Sequence, residues 1–71
     1  MNKEILIYFG KRIKEERKKH NYSQEQLAEK AGLHRTYIGM IERAEKNITL
    51  VNIEKISKAL KLNISEIFEG K

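Results

Sequence analysis

Apolar positions in this chain recur with helical spacing rather than the alternation of a strand. Between residues 3 and 20, Ile5, Leu6, Phe9 and Ile13 fall within about a third of a turn of one another, and the stem of Arg17 prolongs the stripe. Lys11, Lys14, Lys18 and Lys19 take the other face, so "KRIKEERKKH" reads first as a solvated helix face and second as a set of phosphate contacts. Asn21 ends this first helix. Ser23, with Gln26 three positions on, has the pattern of a capping box that opens a second. Leu27, Ala28 and Ala31 are its apolar side, and Gly32 fits the left-handed position that closes it. Such a short helix needs packing to be stable. A third helix is expected from near Arg35 to about Arg43, with Ile38 and Ile41 as its core pair, and "AEKN" is a turn. Thr49 caps a fourth, whose core face is Leu50, Ile53, Ile56 and Leu60. Asn63 and Glu66 repeat the capping-box pattern before a short fifth helix with Ile64, Ile67 and Phe68. The expectation is an all-α fold of five helices.

At 71 residues one domain, 1–71, is the ceiling. A domain of this size buries only roughly 60% of its unfolded surface. With no cysteine there is no disulfide staple and no thiolate metal site, so compact helices, oligomerisation or both must hold it. The absence of proline, with only 4 glycines, suits helices. The formal charge of +5 favours an anionic partner. "ILIYFG" is far short of the ~18 apolar residues of a membrane span and lacks a small-residue cleavage site, so no membrane partner or export is expected and the cytoplasm is.

Two short helices joined by a turn containing glycine form a helix-turn-helix pattern, here over residues 24–43. The steep crossing needs a small residue where the backbones approach, and Ala28 is that residue. Gly32 supplies the turn, and Ile38 and Ile41 anchor the second helix. Counted from Gln24, these four stand at the fifth, ninth, fifteenth and eighteenth positions, which are the spacings of the motif.

In that motif the N-terminal end of the second helix enters the DNA major groove. Arg35 can donate a bidentate pair to guanine O6 and N7, and Thr36 can bond a base edge or touch a thymine methyl. Tyr37 can reach a phosphate or stack near a deformable step. Thr36, Gly39, Met40 and Arg43 lie opposite the Ile38/Ile41 face, and Gly39 there removes a side chain and lets the helix sit close to DNA. Gln24, on the first turn of the second helix, can hold a phosphate; its plainer role is that of a capping neighbour. The plainer account of Arg35 and Thr36 is a polar first turn, and the motif spacing outweighs it. A packing role for the Tyr37 ring competes more evenly. His34 is read as a loop or N-cap residue and His20 as a helix C-terminal cation, because neither has a second metal ligand near it.

"SQEQLAEKAGLHRTYIGMIER" resembles the phage-repressor-like helix-turn-helix family typified by the lambda and 434 repressors and Cro. More narrowly, "GLHRTYIGMIERAEKNITLVNIEKI" is similar to the controller proteins of restriction–modification systems, small homodimers that regulate their own gene and the endonuclease gene. The resemblance implies a five-helix lambda-repressor-like fold and base contacts from Arg35 and Thr36. It implies phosphate or shape contacts from Gln24, Tyr37, Lys46 and Asn47, to which Arg43 is added from its outward position. It also implies a largely buried ion pair between Arg17 and Glu42, which the stripe positions of both residues support independently. After "IER" such proteins usually carry glycine or asparagine; Ala44 stands here, where a left-handed residue would be strained, so a locally different turn or a longer third helix is expected.

Val51 lies nearly opposite the core face of the fourth helix. With Ile48, Ile64 and Phe68 it makes a surplus of apolar surface, expected to be a homodimer interface, with the fourth and fifth helices at 50–69 as the dimerisation region. The function implied is a sequence-specific transcriptional regulator that binds palindromic double-stranded operators as a homodimer, most like a restriction–modification controller. A phage-type repressor, an antitoxin or another host regulator of the same fold competes with it, and a helical protein–protein adaptor ranks last. Nothing resembles an acid–base–nucleophile set, so no enzyme, cofactor, metal or small-molecule substrate is expected.

Overall fold

A computed structural model describes residues 3–69. It consists of α1 (Glu4–Lys19), α2 (Gln24–Ala31), α3 (Arg35–Glu42), α4 (Leu50–Ala59) and α5 (Ile64–Ile67), with no strand among the described residues. α3 packs against both α2 and α1, α2 also against α4, and α5 closes the molecule against α4 and α1. The core is Phe9, Ile13, Leu27, Ala28, Ala31, Ile38, Ile41, Ile56, Leu60 and Ile67.

The starts of α2, α3, α4 and α5 follow from side-chain caps. Ser23 Oγ accepts from the Gln26 N–H at 3.0 Å while Gln26 Oε1 accepts from the Ser23 N–H at 2.8 Å. His34 Nδ1 accepts from the Thr36 N–H at 3.1 Å, and Thr49 Oγ1 from the Asn52 N–H at 3.1 Å. The Asn63 N–H donates to Glu66 Oε1 at 2.8 Å. The helix ends share another device. Asn21, Gly32, Ala44 and Lys61 all take a left-handed backbone, with φ of 59°, 69°, 59° and 60°. After each, the next N–H reaches back five residues: Tyr22 to Arg17, Leu33 to Ala28, Glu45 to Met40 and Leu62 to Ser57. The turn after α3 therefore keeps its left-handed form on an alanine, and α3 does not extend.

Four residues depart from the expected pattern. Ile5 is 44% exposed and Leu50 is 72% exposed, so neither joins the core. Leu50 stands at the edge of the α4 stripe centred on Ile56 and Leu60, on the first turn, and Ser57 is buried in its place. The Ser57 hydroxyl is satisfied by donating to the Glu54 carbonyl at 2.8 Å. Glu16, which the apolar pattern passes over, is buried as well. It pairs with Arg12 and, at 3.2 Å, with Lys19, and the Arg12 hydrogen bond holds its carboxyl below the usual glutamate range. Gly10 marks where α1 meets the end of α3: a Cβ there would lie 2.5 Å from the Ile41 carbonyl oxygen and 2.9 Å from that of Glu42.

Candidate nucleic-acid interface

α3 is anchored from behind by Ile38 and Ile41, which are 0% and 2% exposed, and its first turn is thereby turned outward. Arg35 and Thr36 stand exposed on that turn, and Arg43, Lys46 and Asn47 are exposed beyond its far end. This leaves two sets of hydrogen-bonding groups at opposite ends of one short helix.

Under this surface lies a polar brace. Arg17 donates from Nε to Glu42 Oε2 at 2.7 Å and from Nη2 to Glu42 Oε1 at 3.1 Å, and its Nη1 donates to the Tyr22 carbonyl at 2.9 Å. The two side chains are 11% and 3% exposed, so the charges are held where a lost partner leaves a buried ion. The brace ties α1, the turn before α2 and the end of α3 together. Gln24 joins it: its amide Nε2 donates to Glu42 Oε1 at 3.1 Å. The Gln24 amide donor, expected to hold a phosphate, is thus directed inward in the free protein.

Gly39 also differs from expectation. It is buried, not an open notch for DNA. A Cβ on it would meet Arg43 Nη1 at 3.1 Å and Gln24 Oε1 at 3.4 Å. The missing side chain makes room for those two residues to lie across α3. Arg43 extends on to Glu45, Nε to Oε2 at 3.1 Å.

Tyr37 is half-buried and packs against the core. Its hydroxyl accepts from Asn52 Nδ2 at 3.0 Å, which couples α3 to the first turn of α4. Arg35 Nη1 lies 3.5 Å from Glu25 Oε2 on α2. Neither Asn52 nor Glu25 carries a signal in the apolar pattern, because each becomes relevant only once the helices cross.

Of the four residues expected at a dimer interface, Val51 is 62% exposed. Ile64 is half-buried, while Ile48 and Phe68 pack against the core. The Phe68 ring stacks on Phe9 and Tyr8, with centroids 5.6 and 6.4 Å apart. Leu50 takes the exposed place instead, and Leu50, Val51, Glu54 and Ile64 line a shallow groove of about 290 Å³.

An outward-facing polar first turn on an anchored second helix, packed on the first, is the working part of a helix-turn-helix DNA-binding regulator. The chain belongs to the Helix-turn-helix family, whose pattern it matches over residues 13–67. It is 46% identical over 70 residues to the control protein C.BamHI of Bacillus amyloliquefaciens, an alignment covering 97% of this chain and 86% of that one. The crystal structure of the restriction–modification controller protein C.AhdI from Aeromonas hydrophila superposes with a TM-score of 0.87 at 44% identity, over 89% of this chain and 96% of that one. The biofilm regulator SinR in complex with DNA superposes with a TM-score of 0.81 at 37% identity, over 86% of this chain and 98% of the other. These relatives are regulators of transcription and not enzymes.

Proposed function

We propose that this chain binds a palindromic operator as a homodimer and controls the genes of a restriction–modification system. One observation carries the reading: Arg35 and Thr36, whose side chains match base-edge chemistry, stand exposed on the first turn of a helix that Ile38 and Ile41 hold rigidly. Arg35 and Thr36 read bases in this account, while Gln24, Tyr37, Arg43, Lys46 and Asn47 hold the backbone or sense its shape. One amide N–H of Gln24 is engaged by Glu42, so a phosphate is met by the other N–H or by the backbone N–H unless the side chain turns outward. A single head spans a few base pairs, so a symmetric pair with heads ~34 Å apart supplies the specificity. The identity to C.BamHI supports the controller role. The likeness to SinR favours a second reading, a host regulator of the same fold. Adjacent endonuclease and methyltransferase genes distinguish the first from the second.

The protein works in the cytoplasm, beside the DNA it reads. Among the described residues no helix is long and apolar enough to cross a membrane. The test is selection of binding sites from random duplexes, then footprinting on the protein's own promoter. The expected result is a palindrome with half-sites one turn apart. If a dimer neutralises roughly 6–10 phosphates, affinity falls about 10³–10⁵-fold between about 50 and 200 mM salt. No enriched sequence together with a flat salt response rejects the reading.

A further inference from the structure

Arg35 has a partner inside its own molecule. Glu25 and Arg35 face each other across the mouth of an open cleft of about 400 Å³ between α2 and α3, with Oε2 and Nη1 3.5 Å apart. Both side chains are well exposed, at 72% and 65%. The Glu25 carboxylate suits the first turn of α2, where the helix N-terminus favours an anion, and its exposed pairing with Arg35 adds little to folding by itself. The carboxylate also repels phosphate on every DNA sequence alike.

We propose that Glu25 is a positioning residue that sets the specificity of Arg35 by holding its guanidinium in the geometry that reads guanine. This rests on the assignment of Arg35 to a base contact. A guanidinium carries five N–H donors in a rigid plane. Glu25 Oε2 lies beside Nη1 at 3.5 Å, which leaves open the Nε–H and Nη2–H edge, two parallel donors matched to guanine O6 and N7. A long side chain fixed before binding loses less freedom on binding. The benefit appears only where paired acceptors meet that edge, so it falls on the operator and not on random duplex. The repulsion falls on both. Glu25 therefore widens the gap between specific and nonspecific binding.

The experiment compares Glu25→Gln, Glu29→Gln and Arg35→Ala, and the Glu25→Gln/Arg35→Ala double variant, at one fixed salt. Affinities are measured for the operator, its single-base variants and unrelated duplex. Glu29 lines the same cleft on the next turn of α2 and controls for lost charge. For Glu25→Gln, affinity for unrelated duplex rises, operator affinity does not rise with it, and the ratio of the two falls roughly fivefold. The loss concentrates at the base pair that Arg35→Ala relaxes. Glu29→Gln raises both affinities by one factor, and in the Arg35→Ala background Glu25→Gln leaves the ratio unchanged. If Glu25→Gln shifts every affinity by a common factor, or none, while Arg35→Ala still relaxes one base pair, Glu25 acts through charge alone or not at all and the proposal fails. If Arg35→Ala itself lowers all affinities equally, the base-reading assignment of Arg35 fails and the role of Glu25 falls with it.

Discussion

At the scale of single residues, the four left-handed positions show how unequal sequences close helices in one way. Gly32 adopts φ > 0 without a Cβ penalty, and Asn21 is the side chain type that tolerates it best. Lys61 and Ala44 have neither advantage. After three of these residues the following side chain is apolar: Tyr22, Leu33 and Leu62 all pack against the core and repay the turn with burial. After Ala44 comes Glu45, which is exposed and pairs with Arg43. Ala44 is thus the turn with strain and no hydrophobic compensation. Ala44→Gly is expected to raise stability by about 1 kcal/mol, which moves the thermal midpoint up by roughly 4–8 °C in a domain of this size. Paired urea titrations and thermal melts measure it. An unchanged or lower midpoint would mean that the Ala44 methyl, half-buried, contributes as much by packing as it costs in strain.

At the scale of elements, the glycines of α1 and α3 separate two kinds of close approach. Either glycine replaced by alanine gains about 1 kcal/mol of helix propensity. At Gly10 the new methyl meets two backbone carbonyl oxygens of α3, which cannot swing aside. Overpacking of that kind costs about 1–3 kcal/mol or more, so Gly10→Ala is expected to destabilise on balance. At Gly39 the methyl meets the far ends of two long side chains, Arg43 and Gln24, which give way more easily than backbone, and Gly39→Ala is expected to be neutral or slightly stabilising. Chemical denaturation of the two variants side by side checks the contrast; equal effects would remove the α1–α3 contact as the cause. The same contrast explains what could be read along the chain. Caps at Ser23, Thr49 and Asn63 and the turn at Gly32 are local, and the helix limits follow from them to within about a residue or two. The outward placement of Arg35 and Thr36 is equally local, because Ile38 and Ile41 fix the rotation of α3. The role of Gly10, the inward direction of Gln24, the Asn52–Tyr37 bond and the Glu25–Arg35 pair depend on which helix lies across which. Two residues far apart in sequence meet there, and no period of 3.6 encodes the meeting.

At the scale of the whole molecule, the question is which apolar surface remains once the core is closed. The expected interface divides. Ile48 and Phe68 are already engaged with the core, whereas Val51 and the adjacent Leu50 stand out from the first turn of α4 beside Ile64. That turn also carries Asn52, bonded to Tyr37 on α3, so a partner seated on Leu50 and Val51 would fix α4 where it touches α3. Leu50→Glu and Val51→Glu are expected to leave the monomer folded, because both side chains are exposed. Burying such a side chain contributes about 1.5–3 kcal/mol, and two-fold symmetry repeats each change. The dimer dissociation constant is therefore expected to rise by at least about tenfold, with operator affinity falling in step. Phe68→Glu behaves differently: it places a charge against Phe9 and Tyr8 and is expected to melt the monomer itself. Sedimentation equilibrium separates these outcomes when run beside circular dichroism. Undiminished dimers of Leu50→Glu and Val51→Glu would locate the interface away from the first turn of α4. A folded, monomeric Phe68→Glu would return that ring to the interface.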